Sequence, residues 1–192
     1  MSELEKIIGA YDYEQLISDT HYLRGVHDEA WSVDDKAAIN WYTADEELII
    51  NATLRDSAPE DLILNVTNNK EIKLANFITL SLDKVKSKEY RTVYRWENDS
   101  NQSLCEASVG DYVLYKSFIS TSIDSSFTFN DSKTKRIIIN SSDGAYIAQY
   151  SKYRHEEELL IDKYSVFQVE QADHSKHTYV LRYVSNDEQI QS

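Results

Sequence analysis

Three glutamates in succession, Glu156, Glu157 and Glu158, run straight into Leu159, Leu160 and Ile161, and a second apolar run with Tyr164, Val166, Phe167 and Val169 follows a short polar break. Alternation and β-branched content predict two strands with a tight connection. With all three glutamates in the first strand, the period of two puts Glu156 and Glu158 on one face and Glu157 on the other. Two carboxylates then look into one space. Taken alone, Glu-Glu-Glu is most simply a solvated charged patch. What stands upstream speaks against that reading.

Val93-Tyr94-Arg95-Trp96 ends one apolar stretch with a cation, and Phe118-Ile119-Ser120-Thr121-Ser122 ends another with hydroxyls. An arginine, then Ser-Thr-Ser, then Glu-x-Glu, each at the edge of a strand-like segment and in that order, resembles the Arg-Ser-Glu class of mono-ADP-ribosyltransferases. Val93-Tyr94-Arg95 is similar to their first motif, Phe118 to Ser122 to their second, and Tyr150-Ser151 through Val169 to their third. Ala38-Ile39, Tyr42-Thr43, Ile50-Asn51 and Leu54-Arg55 look like the helical region of the arginine-specific members. The likeness spans residues 38–170. Its specificity lies in order and flanking pattern, because Ser-Thr-Ser alone arises by chance in many chains.

The resemblance implies cleavage of the N-glycosidic bond between nicotinamide and ribose in NAD, the substrate, with transfer of ADP-ribose to an acceptor and no metal. That bond breaks through an oxocarbenium-like transition state, so a carboxylate beside the ribose stabilises the developing charge more than the ground state. By the family pattern this is Glu158, which would also hold a ribose hydroxyl. Glu156 would orient an acceptor guanidinium in a bidentate fork and help to remove its proton. In the family Glu-x-Glu goes with arginine acceptors and Gln-x-Glu with other side chains, so the implied partner is a target protein bearing an acceptor arginine. Arg95 would bind the pyrophosphate or ribose of NAD. Ser120 would bond both the ribose and Glu158. Period two puts Ser122 on the same side, so either hydroxyl can make the contact, and the family pattern favours Ser120. The loop 123–135 would wrap the nicotinamide, with Phe129 or Phe127 stacked on its ring and Phe129 preferred. Tyr153 would rest on a target surface.

There are departures from the pattern. Many members carry glycine directly after the arginine, where this chain has Trp96; either the indole packs beside the dinucleotide or the local geometry differs. The chain has neither the disulfides nor the secretory signal of the vertebrate extracellular members. It looks more like a bacterial toxin or effector acting in another cell's cytoplasm, or a phage enzyme acting in its host, with a cognate immunity protein as a further partner. Two other readings stay open: an NAD glycohydrolase, in which water replaces arginine, and a non-enzymatic acidic binding or immunity module.

Composition narrows the classes. A net charge of -13, from 33 acidic against 20 basic residues, repels phosphate backbones and anionic membrane surfaces, so neither nucleic acid nor a membrane is an expected partner. The same sign would attract a basic target, although excess acid ordinarily means only solubility. Cys105 is the single cysteine, so no internal disulfide can form. Residues 1–8 lack the basic start and apolar core of a secretory leader, and no run approaches a membrane span. His174 and His177 find no matching thiol or second ligand pair, which argues against zinc. No Gly-x-Gly-x-x-Gly is present to hold NAD in a doubly wound fold. Neither a Gly-x-Ser-x-Gly elbow nor a Cys-His signature occurs.

These residues need elements to position them. Apolar spacing predicts helix over 3–23 with a break near Gly9, a Ser32-capped helix over 36–43, another over 45–55, a short piece opening at Pro59, and a helix over 72–85. Strands are expected at 92–96, 112–119, 136–140, 157–161, 165–169 and 178–184, with 97–107 a polar excursion and 144–150 readable as helix or strand. The result is an α+β chain: one catalytic domain over 1–192, with a helical N-terminal lobe (1–88) packed on a mainly antiparallel, NAD-binding β-sheet core (89–192), the ADP-ribosyltransferase-like fold.

Overall fold

Backbone groups left free at helix ends must find partners, and in this chain nearby side chains supply several of them. The computed structural model describes residues 1–25, 29–58, 68–87, 89–97, 102–126, 135–141 and 143–184. They cluster into two compact units, Met1–Lys86 with Ile147–His155, and Ser87–Tyr146 with Glu156–Ser192. The helical unit thus also takes in residues 147–155.

Its helices are α1 (Glu3–Ile8), α2 (Ala10–Asp19), α3 (Val33–Trp41), α4 (Glu47–Asp56) and α5 (Lys70–Asp83). Gly9, at φ 89, breaks α1 from α2 where the spacing predicts a break. A π-helical turn, Tyr42–Glu46, joins α3 to α4 without an intervening loop. Asn69 caps α5 through the Ile72 amide at 2.8 Å. The piece expected to open at Pro59 lies outside the described residues.

Ser32 caps α3 in a capping box with Asp35, which is almost wholly buried. The Asp35 carboxylate also accepts bonds from Ser81 Oγ at 2.6 Å and from Lys84 Nζ at 2.8 Å on both oxygens, tying α3 to the end of α5. Burial on its own would push the carboxyl up, but the bonds from Lys84, Ser32 and Ser81 outweigh it and hold the group below its ordinary 3.8. A carboxyl depressed on folding stabilises the native state above its unfolded value and loses that contribution as pH falls through the folded one. Asp35→Asn is therefore expected to cost about 1–3 kcal/mol at neutral pH, and in urea unfolding the gap to wild type should close below about pH 4. A gap that persisted into strong acid would mean that the charge on Asp35 is not what it contributes.

Residues 147–155 are held in this unit by polar side chains of α3 and the π turn. Asn40 Nδ2 donates to the Tyr150 carbonyl at 2.8 Å, and Thr43 Oγ1 accepts from the Lys152 amide at 3.0 Å. The ring of Trp31 lies 4.6 Å from that of Tyr150, and its indole donates to the Ser81 carbonyl at 2.8 Å.

Among its described residues the second unit forms an eight-stranded sheet in the order β2-β7-β8-β4-β1-β3-β6-β5. Its strands are β1 (Arg91–Glu97), β2 (Tyr112–Tyr115), β3 (Ile119–Ser122), β4 (Lys135–Ser141), β5 (Ala145–Tyr146), β6 (Glu158–Ile161), β7 (Ser165–Asp173) and β8 (Thr178–Tyr183). Every pairing is antiparallel except β4 with β8. Period-two alternation drives it: in K-R-I-I-I-N-S of β4 every second residue, from Lys135 to Ser141, is buried. Val93, Ile137, Ile139, Leu159, Ile161 and Phe167 belong to the core cluster on that face.

Three expectations change. The run 112–119 is two strands: among the described residues β2 pairs with β7 at one edge, whereas β3 lies between β1 and β6. The chain leaves one part of the sheet for another within residues 116–118, and no local pattern encodes a change of partner. The polar excursion 97–107 contains a short helix, α6 (Gln102–Glu106), which sends Leu104 into the core. The stretch 144–150 is neither helix nor a full strand: β5 occupies two residues, and Tyr150 and Ser151 then close a turn on the Ile147 carbonyl at 2.8 and 3.0 Å. No helix among the described residues is long and apolar enough to cross a membrane.

Candidate active site

Strands β1, β3 and β6 lie side by side, and their register aligns Tyr94 with Ser122, and Ser122 with Glu158. Directly opposed residues of antiparallel strands project to the same face, so these three form one row. Ser120 shares the face, two residues along β3 and opposite Leu160. The hydroxyl directly across from Glu158 is thus that of Ser122, with Ser120 on the diagonal. Thr121 points the other way, and its Oγ1 donates to the Leu159 carbonyl at 2.6 Å, fastening β3 to β6.

Burial separates the three glutamates. Glu158 is only 4% exposed, Glu156 is half-buried and Glu157 is exposed. A solvated patch would leave all three in water. A carboxylate withdrawn from water beside a hydroxyl-bearing strand is costly unless polar groups attend it, and such groups mark sites of chemistry.

The expected common strand face for Glu156 and Glu158 does not exist. Strand β6 begins only at Glu158, Glu156 ends a 3-10 turn (Arg154–Glu156), and Glu157 between them is left-handed at φ 47. Strand alternation cannot operate across that residue, so the two carboxylates come from different elements. Such a backbone costs a glutamate about 1–3 kcal/mol and persists only when the surroundings impose it. Glu157 is held from two sides: its carbonyl accepts the Ile123 amide at 3.1 Å, and its carboxylate accepts the Tyr146 hydroxyl. Partial burial, and then the bond and charge of Glu157, push the Tyr146 phenol up to about 12.

Arg95 has the opposite strand phase from Tyr94, together with Val93 and Glu97. Its Nε donates to Glu97 Oε1 at 2.7 Å and its Nη1 to the Ser120 carbonyl at 2.7 Å. The structure therefore joins Arg95 to Ser120, although through the backbone of the serine. Trp96 lies in the phase of Tyr94 and opposite Arg136, whose guanidinium sits 5.5 Å over the Tyr94 ring. Phe129, and its alternative Phe127, lie outside the described residues. Tyr153 is 46% exposed. Among the described residues no group of three or more His, Cys, Asp or Glu is placed to hold a metal ion.

Sequence reasoning did not single out Glu97, Lys135 or Tyr146. For Lys135 a signal existed: the alternation of β4 puts it in the phase of Ile137 and Ile139, which is inward. The pairing of Tyr146 with Glu157 had none, because it joins β5 to the left-handed residue that precedes β6.

The family model for the ADP-ribosyltransferase exoenzyme matches residues 9–191. The chain belongs to this family. ADP-ribosyltransferases of this kind use NAD as substrate and transfer its ADP-ribose, so the row of Glu158, Ser122 and Tyr94 and the bonded pair of Arg95 and Ser120 lie in an NAD-dependent enzyme. No curated protein matches the chain in sequence. Solved structures show the same fold at low identity. The chain is similar to the ADP-ribosyltransferase HopU1 of Pseudomonas syringae pv. Tomato DC3000, with a TM-score of 0.67 and 17% identity over 94% of this chain and 87% of that one. It is similar to the type III effector XopAI from Xanthomonas axonopodis pv. citri, with a TM-score of 0.69 and 15% identity over 95% and 80% of the two chains. It is also similar to the ADP-ribosyltransferase Vis in complex with agmatine, with a TM-score of 0.59 and 20% identity over 93% and 87%.

Proposed function

We propose that the chain, acting as one catalytic domain over residues 1–192, transfers ADP-ribose from NAD to an arginine side chain of a target protein and releases nicotinamide. The observation that carries this reading is the contrast between Glu158, buried at the start of β6, and Glu156, half-buried in the turn before it. Two carboxylates in different surroundings suit two roles. As the bond to nicotinamide breaks, its electron pair leaves on the nicotinamide nitrogen and positive charge grows on the ribose, where Glu158 stabilises it. A guanidinium nitrogen of the acceptor then bonds to the same ribose carbon and gives up a proton to Glu156. Arg95 and a hydroxyl of Ser120 or Ser122 anchor the dinucleotide, and Phe129 stacks on the nicotinamide. Support for the acceptor comes from Vis, whose bound agmatine carries a guanidinium group. A toxin or effector acting in a target cell is supported by the likeness to the type III effector XopAI.

Glu156→Gln tests the assignment. With labelled NAD and an arginine-bearing acceptor, transfer by the variant should fall about 100-fold, the size of a lost general base. Nicotinamide release into water should change far less. Transfer at full rate would remove Glu156 from the mechanism. Mass mapping of wild-type product tests the acceptor: label on a residue other than arginine would refute arginine, and nicotinamide release without protein label would make the chain an NAD glycohydrolase.

A further inference from the structure

We propose that Tyr146 is a positioning residue for transfer to the acceptor: by holding Glu157, it fixes the left-handed turn from which Glu156 is presented. The inference rests on the reading of Glu156 as the residue that directs the acceptor. Glu157 stands between the two carboxylates with assigned roles and takes neither. Its backbone, at φ 47, is one that a glutamate adopts only when its neighbours impose it. The turn Arg154–Glu156 ends immediately before it, and β6 begins immediately after it. The direction in which the chain leads back from Glu158 to Glu156 is therefore set at this one residue.

Two neighbours hold it, one from each strand beside β6. From the end of β3, the Ile123 amide donates to the Glu157 carbonyl at 3.1 Å, directly after Ser122, which faces Glu158. From β5, the Tyr146 hydroxyl donates to Glu157 Oε2. Tyr146 is opposite Leu159 in the register of β5 and β6, so Glu157, two residues before Leu159, is on its diagonal and within reach of an aromatic side chain. The Ile123 bond fixes the peptide that joins Glu157 to Glu158. The Tyr146 bond fixes the side chain, and at a tetrahedral Cα the carbonyl carbon and Cβ together determine where the nitrogen lies, and hence where the chain turns back toward Glu156. The phenol, pushed up to about 12, keeps its proton at neutral pH and remains a donor. Tyr146 is 38% exposed and Glu157 is exposed, so the pair lies at the surface and its removal leaves the core intact.

The test compares transfer with nicotinamide release on the full chain, using labelled NAD with agmatine and a cytosolic protein extract as guanidinium acceptors. Tyr146→Phe keeps the ring and removes the bond. Transfer should fall about fivefold, the scale of one exposed bond to a charged group, while nicotinamide release into water and the KM for NAD stay at wild-type values. Glu157→Ala should give the same loss, the double variant no more than either, and Glu157→Gln, which keeps an acceptor oxygen, should recover part of it. In the Glu156→Gln background Tyr146→Phe should have no further effect, because the tyrosine acts through Glu156. Equal losses in transfer and release would make Tyr146 a general stabiliser and overturn the proposal, as would a wild-type ratio of the two in Tyr146→Phe. Should Tyr146→Phe fail to fold, Glu157→Ala decides: a lower ratio is expected, and an unchanged one would sink the proposal. Full transfer by Glu156→Gln, or no label on agmatine or on arginine from the wild-type chain, would overturn the underlying reading instead.

Discussion

Nicotinamide release by Glu158→Gln is expected to fall by about 100- to 1,000-fold or more, with the protein still folded and still able to bind NAD. The substitution keeps the shape of the side chain and removes its charge. Glu158 is buried opposite Ser122 in the interior of the sheet, where a charge acts through less screening than in water. In the proposed mechanism its contribution grows as the ribose becomes cationic, so the loss should appear in kcat. A melting curve close to wild type would show that the defect is chemical. Release within tenfold of wild type would mean that the essential carboxylate lies elsewhere.

Gly144→Ala should lower stability by about 2–5 kcal/mol, combining backbone strain with overpacking. Gly144 has φ +134, which L side chains rarely adopt, and an added Cβ would lie 2.3 Å from Leu159 Cδ2 and 3.2 Å from its Cγ. Leu159 is itself buried in the core cluster and has little room to yield. A cost of that size is a large part of the 5–15 kcal/mol that holds a typical domain. It should appear as a lower urea midpoint with an unchanged slope. The site should suffer as well, because Gly144 precedes the strand whose Tyr146 holds Glu157, and Leu159 follows Glu158. An unchanged midpoint would show that Leu159 can move aside and that the backbone there is not strained.

The parts of the fold that were legible in the sequence are those set by nearest neighbours. Gly9 marks a break because its backbone must turn positive, and Ser32 with Asp35 marks a helix start because both side chains bond the first turn. The strand at Ile137 and Ile139 is visible because burial on one face demands alternation. The parts that were not legible depend on partners distant in the chain. Residues 112–119 read as one strand, since nothing local says that β2 and β3 pair with different neighbours. The left-handed Glu157 was invisible because its cause, the Tyr146 hydroxyl on one side and the Ile123 amide on the other, comes from two other segments.

The same division runs through the candidate site. Residue types and their order, Arg95, then Ser120 to Ser122, then Glu156 to Glu158, were settled by the sequence, and with them the family and the chemistry it performs on NAD. Covalent order is enough for that, because the family pattern is carried by residue types and their sequence, not by which strand each one ends in. Only the tertiary structure decided which glutamate is buried, which serine faces Glu158 and what holds the Arg95 guanidinium. Register and burial arise from pairing between segments, and a one-residue shift moves every side chain of a strand to its other face.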